Sequence, residues 1–197
     1  MTEKAPSLNS IAHLIERYYP EYYLWQTYPA DECVTIHKVK EDWGIFSNFA
    51  PTPLVVEGKT FDTSERLFQT MKFDDLDIAR EIFTCKGGGY KMKAKKYASS
   101  RREDWGARIV DAMKFCLMLK YEQSPEFRQT LEASRGKYIV EDQTSFPKKK
   151  PDTWGVKLHD GIFEGSNLLG RLLMELRDNG TLTYKLPDDA LDVIKAL

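Results

Sequence analysis

Phe61-Asp62-Thr63-Ser64-Glu65-Arg66-Leu67-Phe68-Gln69-Thr70-Met71-Lys72-Phe73 reads as a helix from about Thr63 to Phe73. At about 100° per residue, Glu65, Gln69 and Lys72 lie within roughly 60° of one another and form one stripe. Phe68 and Phe73 flank the stripe, and Leu76 extends it below. A solvated polar face is normally bordered by more polar residues. This one is bordered by aromatics, so it points inward or into a cleft. A carboxylate, an amide and an ammonium group buried on one face need partners, and a ligand is one kind of partner. Two other readings stay open. Asp62-x-x-Glu65 fits a capping-box-like helix start, in which Glu65 only satisfies a backbone N–H. Gln69 and Lys72 fit an internal hydrogen-bonded pair that fixes packing.

Just before this helix, Leu54-Val55-Val56, Glu57-Gly58 and Lys59-Thr60-Phe61 read as a hairpin. Cys33–His37 alternates and is rich in β-formers, so it reads as a strand. Residues 1–30 look like an appended segment: Ser10–Tyr19 could form a short helix, and Tyr18–Tyr28 is aromatic-rich between Pro20 and Pro29. After the stripe a short helix covers about Ile78–Phe83. A long one covers Asp104–Tyr121, with Trp105, Ile109, Ala112, Cys116 and Leu119 at helical spacing. Ser124-Pro125 is a helix start, with Pro at the first position, and Lys137–Glu141 is a strand. Residues 142–165 read as a long loop, and loops of this length in a compact domain are often functional. Asn167–Arg177 is a buried helix carrying Leu168, Leu169, Leu172, Leu173 and Leu176, stopped by Asn179-Gly180. A tail helix, Asp188–Ala196, packs outside. Helices dominate, and the few short strands do not alternate with them, which excludes a doubly wound sheet. The expectation is an α+β domain, predominantly α-helical, with a small β-sheet and hairpin: a main domain over 31–180, an extension over 1–30 and a tail over 181–197.

A chain of 197 residues fits one domain better than two. With 42% hydrophobic and 30% charged residues it can bury a core and stay soluble. No apolar run approaches the roughly 18 residues of a membrane span, and MTEKAPSLNS lacks the layout of a secretory signal. Cys33, Cys85 and Cys116 are odd in number and far apart, which argues for a reducing compartment and a cytoplasmic location. The net charge of −1 excludes a chain that is basic throughout. Lys86–Arg102, however, carries seven positive charges and no acid. Such a segment favours phosphates, or is a solvated, flexible loop around Gly87-Gly88-Gly89. His13, His37 and His159 give no metal spacing, no Cx2C pair suggests zinc, and there is neither a Walker loop nor a GxSxG elbow. No metal and no cofactor are expected.

Several blocks together resemble the NADAR/YbiA-like family. They are Trp43-Gly44-Ile45-Phe46-Ser47-Asn48-Phe49, Pro53, Gly58-Lys59-Thr60-Phe61, and Thr63-Ser64-Glu65-Arg66-Leu67-Phe68-Gln69-x-x-Lys72-Phe73. With them stand Arg102-x-Asp104-Trp105, Lys120-Tyr121-Glu122-Gln123, Trp154-Gly155 and the run Gly165–Arg177. The blocks keep the family order from about residue 33 to 178. The resemblance implies a mostly helical fold with a small sheet, and an N-glycoside hydrolase acting on a ribose phosphate or ADP-ribose. Two activities go with it: removal of ADP-ribose from guanine in DNA or RNA, and cleavage of riboflavin-pathway ribosylamino-pyrimidine phosphates. It implies Glu65 as the catalytic carboxylate. Phe46, Asn48, Gln69, Lys72, Arg102 and Trp105 then line the pocket, with Trp154, Gly155 and Asn167 as further substrate contacts. Arg66 departs from the pattern, since many members carry His there. So does Asp152, which lies two residues ahead of Trp154 instead of three.

N-glycoside hydrolysis passes through an oxocarbenium-like state. A nearby carboxylate stabilises that charge and orients or deprotonates water, the role expected of Glu65. The leaving nitrogen needs a proton, which Lys72 or Asp152 could supply or relay. Trp105 and Phe46 would stack on a base, while Arg102 and the Lys86–Lys96 segment would hold phosphate. The plainer alternatives are core packing for Trp105, a surface charge for Arg102, helix capping for Asn167 and loop anchoring for Trp154. A non-catalytic module that binds NAD or ADP-ribose is the reading from another class.

Overall fold

The computed structural model describes residues 11–197. It opens with α1 (Ile11–Tyr18), α2 (Pro20–Tyr23), β1 (Gln26–Pro29) and β2 (Cys33–Ile36). A 3₁₀ turn at Gly44–Phe46 leads to β3 (Leu54–Val56) and β4 (Lys59–Phe61). Five helices follow: α3 (Ser64–Thr70), α4 (Leu76–Phe83), α5 (Tyr90–Lys96), α6 (Ile109–Gln123) and α7 (Pro125–Ala133). The chain then forms β5 (Tyr138–Glu141), β6 (Lys157–His159), β7 (Ile162–Gly165), α8 (Leu168–Asn179) and α9 (Asp192–Ala196). The architecture is α+β and mostly helical, as expected. Its strands fall into three small sheets: antiparallel β1-β7-β6, parallel β2-β5 and the hairpin β3-β4.

The hairpin lies where the sequence places it. Glu57 and Gly58 turn with φ of 49° and 71°, the left-handed pair whose twist matches two short strands. Its open edge is held by one side chain. Gln123 accepts from Val55 N at 2.7 Å and donates to Val55 O at 2.8 Å, as a neighbouring strand would. α7 starts as its sequence dictates, with Ser124 Oγ accepting from Phe127 N.

The expected long loop over 142–165 is corrected. It contains the β6-β7 hairpin, turned at Asp160-Gly161 with φ of 47° and 80°. Asp-Gly favours that turn, but the strands it joins have only three and four residues, too few to show alternation. β7 also pairs with Gln26–Pro29, which were read within an appended segment. From that segment Ile15, Tyr19 and Tyr22 enter the core, and Tyr22 Oη donates to Glu175 Oε2 at 2.7 Å. Residues 1–10, which include the first residue of the expected Ser10–Tyr19 helix, lie outside the described residues.

The long helix is shorter at its start than expected. Trp105–Ala107 form a separate 3₁₀ turn, and α6 runs from Ile109 to Gln123. Gly106 lies against α1, where a Cβ would meet Leu14 Cδ2 at 2.6 Å. α6 is buried nearly all round, including Val110, Met113 and Leu117, whereas Leu119 is only half-buried. The Lys86–Arg102 segment is no open loop either. Tyr90 and Ala94, one turn apart, anchor α5 on a small core of Phe73, Ile78 and Ile82. No helix of the described residues is long and apolar enough to cross a membrane.

Candidate active site

Thr63, not Asp62, caps α3: its Oγ1 accepts from Arg66 N at 3.1 Å. The capping-box reading of Glu65 is therefore corrected. Asp62 instead pairs with Arg66, and Glu65 Oε1 accepts from Gln69 Nε2 at 2.7 Å. The alternative reading of a Gln69–Lys72 pair gives way to this Gln69–Glu65 bond. Glu65 N donates to Asn48 O at 2.8 Å, and Ser64 Oγ donates to Asn48 Oδ1 at 3.0 Å, which ties the helix start to the loop after the Gly44–Phe46 turn. All seven residues of α3 are buried. The polar stripe faces inward, as its aromatic borders require.

What it faces is a cavity of about 260 Å³. The 47–49 loop contributes Ser47, Asn48 and Phe49. The α3 segment contributes Glu65, Phe68, Gln69 and Lys72, and the last residue of β5 contributes Glu141. Gln143, Phe146, Asp152 and Trp154 close the opposite wall. The structure thus brings together Asn48, Glu65, Gln69, Lys72, Asp152 and Trp154, all singled out in the sequence. Lys72 Nζ rests 4.9 Å from the Phe68 ring centroid and 5.7 Å from that of Trp105. Among the described residues no carboxylate forms an ion pair with it. Burial pushes its pKa down to about 8, with nearby Glu65 opposing that fall. Asp152 Oδ1 accepts from Gln143 Nε2 at 2.6 Å and from Trp154 N at 3.0 Å. These bonds fix the loop that carries both Asp152 and Trp154.

Glu141 was not singled out from sequence. It ends β5 next to the fully buried Ile139 and Val140, and a carboxylate closing so apolar a strand was the available signal. Its Oε2 is shielded from solvent and has no hydrogen-bond partner among the described residues. Burial first, then the charge of Asp152, pushes its pKa up to about 8.

Five further residues implied by the resemblance stand outside the cavity wall. Phe46 is fully buried between Trp43 and Phe127, with ring centroids 5.7 and 6.0 Å away. Trp105 packs against Phe68 at 5.3 Å and backs Lys72 from the far side. Arg102 bonds Asp189 at 2.5 Å and Asp104 at 3.2 Å, and its backbone N donates to Lys72 O. It lines a separate cleft of about 220 Å³. Gly155 has no room for a side chain, since a Cβ would meet Glu141 O at 2.5 Å. Asn167, at φ 49°, makes no side-chain cap on α8. Instead it accepts from Glu141 N at 3.1 Å and donates to Ile139 O at 2.9 Å, which fastens the end of β5.

Beside the cavity, and sharing Gln69, Lys72 and Lys91 with it, runs a groove of about 300 Å³. Met92, Ala94, Lys95 and Arg101 complete its walls, so it has four cations and no acid. Arg66, which departs from the family pattern, lines neither space. It binds Asp62 and the carbonyls of Ile82, Phe83 and Cys85, and stacks over Tyr90 at 4.6 Å. Among the described residues no group of three or more His, Cys, Asp and Glu side chains is placed to hold a metal ion.

Comparison with known proteins agrees with this fold. The solution structure of the Escherichia coli protein YbiA matches with a TM-score of 0.61 and 33% identity, over 76% of this chain and 84% of that one. N-glycosidase YbiA of Escherichia coli K12 is 34% identical over 152 residues, 75% of this chain and 88% of that protein. A riboflavin biosynthesis protein of Vibrio vulnificus is 26% identical over 149 residues, 75% of this chain but 38% of that longer protein. The NADAR domain model matches residues 36–179, a span that contains all the cavity's polar wall, and the chain belongs to the NADAR family.

Proposed function

We propose that the protein hydrolyses an N-glycosidic bond, and that its substrate is ADP-ribose joined to guanine in DNA or RNA. The observation that carries the substrate choice is the acid-free groove of Lys72, Lys91, Lys95 and Arg101, which continues from the carboxylate-lined cavity. A diphosphate or a nucleic-acid backbone is the ligand such a groove favours. In the cavity, Glu65 faces the anomeric carbon. Its orientation is set by the Gln69 bond and by its own N–H on Asn48. The carboxylate stabilises the oxocarbenium-like charge and accepts a proton from the attacking water. Trp154 and Phe49 line the cavity and supply aromatic surface against a base.

A second reading is a ribosylamino-pyrimidine phosphate of riboflavin biosynthesis. The name of the Vibrio vulnificus relative favours it. The Arg at position 66 does not count against it, because that side chain is turned away from the cavity.

Both substrates are offered separately and sugar release is followed. Release from the guanine adduct, at a rate above that from the pyrimidine, supports the proposal. Release from the pyrimidine alone overturns the substrate choice, and binding of ADP-ribose without any release overturns the enzyme reading in favour of a binding module. Glu65→Gln is expected to lower turnover about a thousandfold or more while the melting temperature holds. An active variant that melts markedly lower would make Glu65 a structural residue.

A further inference from the structure

Hydrolysis with Glu65 as base leaves the departing nitrogen without an assigned acid. Two candidates from the sequence are poorly suited. Asp152 Oδ1 is already occupied as an acceptor, holding Gln143 and Trp154 in place. Lys72 lies against two aromatic rings at the junction of the cavity and the basic groove, where an ammonium serves an anion.

Glu141 is held differently from either. Both of its backbone polar groups are bonded: N to Asn167 Oδ1 at 3.1 Å, and O to Val156 N at 2.9 Å. Gly155 allows the neighbouring strand to approach closely enough for this, since any Cβ there would collide with Glu141 O. The residue next in line, Asp142, continues the parallel ladder by donating from N to Ile36 O at 2.9 Å. So the backbone is fixed on three sides while the residue lines the cavity that holds Glu65 and Asp152, with Oε2 buried and unbonded. A buried oxygen with no donor aimed at it is costly as a carboxylate and much less so as a carboxyl OH.

We propose that Glu141 is the general acid of this site, its buried and otherwise unbonded carboxyl delivering a proton to the nitrogen that leaves the anomeric carbon. This rests on the N-glycosidase reading above. As the C1′–N bond breaks, its electron pair goes to nitrogen, which takes the Glu141 proton. The water oxygen bonds to C1′ and gives its proton to Glu65. Both carboxyl groups return to their starting states when the Glu65 proton leaves to solvent and Glu141 takes one up. The charged groups around Glu141 are consistent with a proton held at neutral pH. Asp152 and Glu65 oppose its ionisation and Lys91 alone favours it, with burial the largest influence and its pKa pushed up to about 8.

The test uses Glu141→Gln, which keeps shape and removes the transferable proton. Wild type and variant are compared on the N-glycoside and on the 4-nitrophenyl glycoside of the same sugar phosphate, whose phenolate leaves without protonation. The variant is expected to be slowed about 100-fold or more on the N-glycoside and less than about tenfold on the aryl glycoside. The wild-type kcat on the N-glycoside is expected to fall as pH rises through about 8, and that limb is expected to vanish in the variant. Equal slowing on both substrates, or unchanged rates, overturns the assignment. If the aryl glycoside is not turned over, the pH limb decides, and its persistence in the variant overturns the assignment. A wild type that cleaves neither compound defeats the N-glycosidase reading itself, which is a different result from a wild type whose acid lies elsewhere.

Discussion

Lys72, half-buried, and Lys120, fully buried, are both cations to which no carboxylate is bonded among the described residues, yet their surroundings differ in kind. Lys120 is fully buried in α6 and donates to Ile45 O at 2.6 Å and Ser47 O at 2.9 Å, over the Phe127 ring at 4.9 Å. Burial pushes its pKa down to about 7. Lys72 is pushed down to about 8 by the same cause, but its neighbours are two rings and an open cavity. A depressed pKa therefore does not separate a site from a scaffold here. The separation lies in the donors. Those of Lys120 are occupied by the loop that carries Asn48, and those of Lys72 meet no hydrogen-bond acceptor among the described residues.

The largest effect expected from this contrast is on turnover. Lys72→Met should lower kcat/KM on a phosphate-bearing substrate by about 100-fold. Its melting temperature should hold or rise, because the variant removes a desolvated charge that no protein group pairs. Lys72→Arg sharpens the point. The wild-type ammonium is charged below about 8 and lost above it, so KM should rise as pH climbs through that value. Arginine keeps its charge throughout, so its KM should stay flat while any alkaline fall in kcat, assigned to Glu141, remains. A Lys72→Met protein that melts much lower at full activity would make the two lysines alike.

Lys120→Met should do the reverse. Methionine fills the alkyl volume but leaves the Ile45 and Ser47 carbonyls without their donor. That costs about 3 kcal/mol, or roughly 6–12 °C in melting temperature for a chain of this size. The pH dependence is also distinct. Between about 7 and its ordinary value of 10.5, Lys120 is deprotonated in the folded protein and protonated in the unfolded one. Its contribution therefore makes wild-type stability rise with pH across that window. Denaturant melts of the Met variant should lack that rise. Activity should fall only as far as the Asn48 loop loosens its hold on Glu65 N.

How much of this was legible in the sequence follows the range of the interactions. The β3-β4 hairpin, the Ser124 cap and the leucine face of α8 are settled within a turn or two, and local pattern read them correctly. The Glu65-Gln69-Lys72 stripe was legible for the same reason, because its aromatic borders sit on the same helix. The β6-β7 hairpin was missed although Asp160-Gly161 announced its turn, since β7 is stabilised by β1, more than a hundred residues earlier. Glu141 was legible only as a carboxylate closing an apolar strand, which does not say what it faces. Its meaning appears only when β5 pairs in parallel with β2 and sets its last side chain in the same cavity as α3. Trp105, Gly155 and Asn167 stand in or beside quoted motifs, and the structure places each one behind a wall residue, while Phe46 packs between Trp43 and Phe127. Short motifs carry the supports of a site along with its surface.

The smallest effect expected on activity tests the boundary of the site. Arg66 lies on α3 between Glu65 and the rest of the stripe, but on the other face. There it binds the carbonyls of Ile82, Phe83 and Cys85 and so fastens the end of α4. Arg66→His cannot span those acceptors and should cost about 2 kcal/mol of stability. The ratio of rates on the guanine adduct and the pyrimidine substrate should change less than about twofold, because no atom of residue 66 reaches the cavity. A shift of tenfold or more in that ratio would require a route inward, and the structure offers one. Arg66 stacks on Tyr90, and Tyr90 stacks on Phe49 at 6.0 Å at the cavity rim. Tyr90→Leu separates the two cases. It should reproduce the shift if selectivity passes through that stack, and it should leave the ratio alone if Arg66 serves only the scaffold.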